Sequence, residues 1–205
     1  MGGEQIAYTS SVRNLGLIID QSLSWEAHID VLCTRVYVIL RSFWQLTGFA
    51  GVKFRHKLFM AYILPHLMYC DVVLYGMFEK VMDKLRYLFN SCVRYVYSLR
   101  KFDHISMVSS TLLGCDINKF FEYRTCLFIH KLILNKSPSY LYNKIHISKS
   151  EGTKHIILPV NNSRSFNSSF FVQGVSNYNK LPGSVRSCKS LRKFMIFYKD
   201  WYVLY

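Results

Sequence analysis

With 205 residues, 51% of them hydrophobic, the chain is long enough for one domain or one with a satellite and apolar enough for a core, which excludes a disordered low-complexity protein. Its formal net charge of +14, from 26 Lys and Arg against 12 Asp and Glu, suits a polyanionic partner. Its apolar runs are broken by Arg41, Pro65, His66 and Asp71, short of the roughly 18 uninterrupted residues of a membrane span, and its start carries no signal-peptide pattern, so an intracellular protein of cytoplasm and nucleus is expected, with no membrane partner.

Val12 to Ile19 reads as a short strand ending at Asp20. A helix over 24–46 follows, with Trp25, Ile29, Leu32, Val36 and Phe43 on one face, and a stop at Gly48 and Gly51 where positive φ is available. A second helix from Lys53 is expected to kink or break at Pro65, which lacks a backbone donor. A third, over 79–99, repeats Val81, Leu85, Leu88, Cys92 and Val96 as an amphipathic stripe, leaving Lys80, Lys84 and Arg94 off it. A short helix over 105–113 stops at Gly114, and another over 118–134 is capped by Asn118. After Pro138 the composition shifts. Residues 148–168 are rich in Ser, Asn, Gly and Lys and read as a linker, 169–175 as a strand, 181–184 as a turn, and Leu191, Phe194, Ile196, Phe197 and Trp201 mark a closing helix.

Charge is uneven along this order. Residues 1–116 hold 12 Lys and Arg against 9 Asp and Glu, whereas residues 117–205 hold 14 against 3, a net of +11. Each phosphate neutralised by such a segment releases counterions. Tyr140, Tyr142, Phe166, Phe170, Phe171 and Tyr178 interleave with the cations as candidate stacking rings, against the alternative that they are core. The six cysteines form no C-x-x-C and read as reduced core residues.

Several blocks in order carry a family resemblance. They are NLGLIID (14–20) with LSWEAHI (23–29), ILPHLMYCDVVLYG (63–76), LLG (112–114) with Phe120 and Arg124, SPSYL (137–141), and RSFNSSFFVQGVSNYNKLP (164–182). The first resembles the segment that leaves the palm and enters the thumb, and together, from about residue 12 to 200, they resemble the C-terminal thumb and post-thumb region of reverse transcriptases of jockey-like non-LTR retrotransposons. Tyr178 stands where that family usually has tryptophan, Leu74-Tyr75 replaces a tryptophan after Asp71, and Cys115-Asp116-Ile117 replaces a tryptophan-leucine-proline. The resemblance implies a mainly α fold: residues 1–22 end a palm, 23–136 form a helical, thumb-like bundle, and 137–205 form a less regular basic region with a short strand and a closing helix.

The resemblance also implies an RNA-directed DNA polymerase as parent enzyme, with divalent magnesium as its cofactor. This chain has no Asp-Asp pair with which to hold two metals. Asp71 reads as a buried hydrogen-bonding residue, and Asp20, Glu26 and Asp30 as cap and dipole partners of the first helix. His66 with Cys70, and Cys126 with His130, have a spacing that places each pair on one helix face, if helical, but neither repeats a known zinc pattern. No P-loop, G-x-G-x-x-G or G-x-S-x-G occurs, so no catalytic residue, metal site or cofactor is assigned. The function expected is that of a nucleic-acid-binding reverse-transcriptase fragment, inactive alone, that meets RNA or an RNA–DNA hybrid and an upstream palm. Lys154, Arg164, Lys180, Lys189, Arg192 and Lys193 are its candidate phosphate contacts. The alternatives are a non-enzymatic interaction module that self-associates through exposed apolar surface, and a non-functional relic of a retroelement.

Overall fold

The computed structural model describes residues 8–150, 153–158 and 163–203, and it is mainly helical with two short two-stranded sheets. The chain divides into two compact units, Met1–Cys70 with Met77–Gly114, and Asp71–Gly76 with Cys115–Tyr205. This division falls at Gly114, where the sequence suggested a boundary after residue 136. None of the described helices is long and apolar enough to cross a membrane.

The first unit opens with a hairpin rather than the single strand expected. Strands β1 (Ser11–Asn14) and β2 (Leu17–Asp20) pair antiparallel, with Asn14 opposite Leu17. Leu15 and Gly16 between them both have positive φ, 46° and 88°, and two such residues turn the chain back with the twist of the flanking strands. Leucine disfavours that conformation. The Tyr69 hydroxyl, which donates to the Leu15 carbonyl, helps to hold it.

Beyond β2, Asp20 organises the entry to the first helix. Its carboxylate accepts from the backbone N–H groups of Ser22, Ser24 and Trp25 at 2.9–3.1 Å and from the hydroxyls of Ser22 and Ser24 at 2.6 and 2.9 Å. Helix α1 (Glu26–Trp44) buries His28, Ile29, Leu32, Val36 and Leu40. It ends through Gln45 in right-handed geometry; neither Gly48 nor Gly51 has positive φ, and Gly51 instead opens α2 (Val52–Leu58).

That second rod does not break at Pro65. It passes from α2 through a π turn (Phe59–Ile63) into α3 (Leu64–Met68). The widened turn, closed by the Leu64 N–H on the Phe59 carbonyl, shifts the hydrogen-bond ladder just before proline, where a donor is missing in any case.

After α3 the chain enters α4 (Asp71–Leu74), which belongs to the second unit, and returns in α5 (Glu79–Tyr97). Every member of the expected α5 stripe is buried, and α5 packs on α1. Lys84 on α5 binds Asp30 at 2.6 Å and Glu26 at 3.1 Å, so these two carboxylates tie α1 to α5 as well as lying near the start of α1. Helix α6 (Ser106–Leu113) closes this unit and stops, as expected, at Gly114 with φ 77°.

In the second unit the spine is α7 (Ile117–Asn135). Its N-cap is Asp116, whose side chain accepts from the Asn118 N–H at 3.2 Å, so the expected cap lies two residues too late. The short α8 (Ser139–Tyr142) leads into β3 (His146–Ser150) and β4 (Thr153–Ile157), an antiparallel pair that begins just before the stretch expected to be a linker and runs into it. Ile145 and Ile156 anchor it in the core, and Asn179 brackets Ile156 by accepting from its N–H at 3.0 Å and donating to its carbonyl at 2.8 Å. Helix α9 (Arg164–Asn167) precedes α10 (Phe170–Lys180), which replaces the strand expected over 169–175. Ser169 caps α10 through the Val172 N–H, and Gly174, Val175 and Tyr178 are buried at helical spacing. The turn at 181–184 tightens into α11 (Gly183–Arg186), and the closing helix is α12 (Leu191–Val203).

Candidate nucleic-acid interface

Lys189, Arg192 and Lys193 gather at one helix end. Lys189 lies two residues before the start of α12, and Arg192 and Lys193 lie in its first turn, all three exposed and with no acidic residue in that turn. A helix start already carries partial positive charge from unpaired N–H groups, so cations here repel it and an anion relieves both. Phe194 and Tyr198 anchor the opposite face of α12 in the core at 0% and 3% exposure, which holds the three cations toward solvent.

Lys180 lies on another element, at the C-terminal end of α10. Its ammonium donates to the Asn177 side chain at 3.1 Å and faces Glu122, whose carboxyl is pushed up by burial and partly restored by Lys180 and Lys119. Lys180 is therefore partly engaged within the protein. The side chains of Lys154 and Arg164, on β4 and α9, lie outside the described residues.

Of the candidate stacking rings, Tyr178 is core. It is 1% exposed, its hydroxyl meets His130 Nδ1 at 2.9 Å, and His130 stacks on Phe194 at 4.1 Å. Phe170 and Phe171 are half-buried, with Phe170 edge-on to Phe128, and only Tyr140 is largely exposed. Cys126 and His130 thus sit in a packed aromatic core. His66 lies within α3, whereas Cys70 lies beyond it at φ 56°, so that pair does not share a helix face. Cys92, Cys126 and Cys188 are buried, Cys33, Cys70 and Cys115 half-buried, and all six are free thiols.

A second cationic surface lies in the first unit. Tyr37, Arg41 and Trp44 follow one another along α1 at i, i+4 and i+7, and with Arg94 and Lys101 they line a cleft of about 520 Å³ that has no carboxylate in its wall. The two rings are 43% and 45% exposed, enough for a base to stack on them. Arg94 is steadied by donating to the carbonyls of Arg100 and Asp103 at 3.3 and 3.4 Å. Sequence reasoning missed this cleft because the first 116 residues are nearly balanced in charge. The visible signal was the α1 spacing of aromatic, arginine and aromatic.

Asp71 is 3% exposed and bound through its carboxylate to Arg124 Nε at 2.7 Å, as a structural buried acid should be. Removing Arg124 would leave the buried Asp71 carboxylate uncompensated, whereas the Arg124 guanidinium is itself partly exposed. Among the described residues no three His, Cys, Asp or Glu side chains converge as a magnesium pair would need. Comparison with protein-family profiles, curated proteins and solved structures finds no match.

Proposed function

We propose that the chain is a nucleic-acid-binding segment of a jockey-like retrotransposon reverse transcriptase, one that grips RNA or an RNA–DNA hybrid and contributes no catalytic carboxylate. The observation that carries the reading is the exposed trio Lys189, Arg192 and Lys193 at the N-terminal end of α12, within a stretch of net charge +11. Phosphate is the ligand that such an end attracts, through charge and through the first-turn N–H groups together. The α1 cleft, with exposed rings beside Arg41, Arg94 and Lys101, adds a place where an unpaired base stacks while its phosphate is neutralised. Affinity of this kind depends on charge more than on sequence.

The test is fluorescence anisotropy of a labelled RNA–DNA hybrid with the monodisperse full chain at about 50 and 200 mM salt. Binding should weaken at least tenfold across that range, and the variant R192Q/K193Q should lower the slope of log affinity against log salt by about 2, one unit for each phosphate no longer neutralised. A slope equal to that of the parent chain would remove α12 from the interface. No binding at low salt by a folded chain would sink the reading.

A second reading, an interaction module, is favoured by rings that stand out into solvent, such as Phe49 and Phe102 at 95% and 88% exposure. It predicts self-association rather than a salt-sensitive hold on nucleic acid.

A further inference from the structure

A different cleft of the first unit, about 310 Å³ in volume, is lined by Arg13, His28, Arg35, His66 and Tyr69. Two guanidiniums and two imidazoles thus face one space, and no carboxylate lines it. The carboxylates near it in sequence are engaged: Asp20 holds Ser22, Ser24 and Trp25, while Glu26 and Asp30 bind Lys84, and Lys80 approaches Glu26 at 3.5 Å. Gathering cations without a counter-charge is unfavourable in the free protein, and the effect is visible at His28. Burial, then Arg35, then Arg13 hold its imidazole below the usual histidine range.

The geometry of His28 orients it as a donor. The ring is 9% exposed, and its Nδ1 accepts from the Ile18 N–H at 3.4 Å, which leaves the proton on Nε2. Arg13 reaches the cleft from β1, Arg35 from α1 about two turns beyond His28, and His66 from α3. Tyr69, latched to the Leu15 carbonyl, pins the hairpin tip at the edge of the same cleft. Guanidinium groups match the oxygens of a tetrahedral oxyanion, two N–H donors to two oxygens.

We propose that this cleft binds a phosphate group of a small dianionic ligand, held by Arg13 and Arg35 with His28 Nε2 donating to a third oxygen. The volume lies near the lower end of the about 300–1,000 Å³ of small-molecule sites, so the phosphate comes either as the free ion or at the end of a mononucleotide. The inference does not rest on the nucleic-acid reading, because it uses none of the residues on α12.

The experiment is an NMR titration of the full chain with labelled histidines, using inorganic phosphate in one arm and adenosine monophosphate in the other, at ionic strength held constant with sodium chloride. Saturable movement of the His28 resonances is expected in at least one arm, with the Nε2 proton moving most, since that is the atom that donates to the phosphate. R35Q should weaken that binding at least tenfold, whereas R192Q/K193Q should leave it unchanged. Equal affinity in the two arms assigns the site to phosphate alone, and tighter binding of the nucleotide assigns it to a phosphorylated nucleoside. Movement no larger than sodium chloride produces, or saturation that R35Q leaves intact, would overturn the proposal. Arg35 is exposed on α1, so its replacement leaves the fold available for the measurement.

Discussion

Asp20 shows how much one side chain can organise. Five hydrogen bonds reach its carboxylate from three residues, Ser22, Ser24 and Trp25, turning the end of β2 into the entry of α1. Burial acts to raise its pKa, but the hydrogen bonds from Ser22 and Ser24 outweigh it and bring the value down from 3.8 to about 2. The sign of the linkage follows. Between these two values the unfolded chain binds more protons than the folded one, so the contribution to stability is complete above 3.8 and is lost as pH falls toward 2. Melting temperature measured against pH should therefore drop more steeply between pH 4 and 2 for the parent chain than for Asp20→Asn, which should also be less stable at pH 7 by about 1–2 kcal/mol. Parallel acid limbs for the two proteins would show that the carboxylate contributes no more than an amide.

At the scale of elements, the packing of α10 on α7 turns on Gly174. A Cβ there would lie 2.5 Å from Thr125 Cγ2 and 2.9 Å from Ile129 Cδ1, closer than real contacts allow. Gly174→Ala gains about 1 kcal/mol of helix propensity but overpacks a site fixed on the Thr125 side, so a net loss of about 1–2 kcal/mol is expected in urea unfolding. Adding Thr125→Ser should recover most of it, since serine drops Cγ2 and keeps the hydroxyl that donates to the Phe121 carbonyl at 2.9 Å. Failure of the second change to rescue would place the strain at Ile129 instead. Gly174 also explains why α10 is hard to read from sequence. A run of Phe170, Phe171 and Val172 followed shortly by glycine reads as a strand, and only the partner helix shows that the glycine serves close approach. The long helices were legible because α1 and α5 bury stripes of apolar residues at regular spacing. The hairpin at Leu15-Gly16 and the β3–β4 pair were not, because one depends on a leucine held at positive φ and the other on contacts distant in sequence. The apolar marks of α12 were only partly legible, since Phe194 is buried whereas Ile196 and Phe197 are exposed, and the two clefts of the first unit combine side chains from separate elements, which spacing along one helix does not reveal.

For the whole molecule, charge and exposed apolar surface pull in opposite directions. A net charge of +14 keeps copies apart, while Phe49, Tyr87, Phe102 and Met107, each more than two-thirds exposed, favour contact between them. Salt sets the balance, since the screening length falls from about 10 Å at 0.1 M to about 3 Å at 1 M. Hydrophobic contact survives that change and like-charge repulsion does not. Sedimentation velocity at these two salt concentrations should accordingly show a larger oligomeric fraction at the higher one, the reverse of the trend expected for nucleic-acid binding. The pair Phe49→Ser and Phe102→Ser should then reduce the oligomer without altering the salt slope of binding, because neither ring lines the cleft of Tyr37 and Trp44. A monomer at both concentrations would remove the interaction-module reading and leave the cationic surfaces as the chain's main means of engaging a partner.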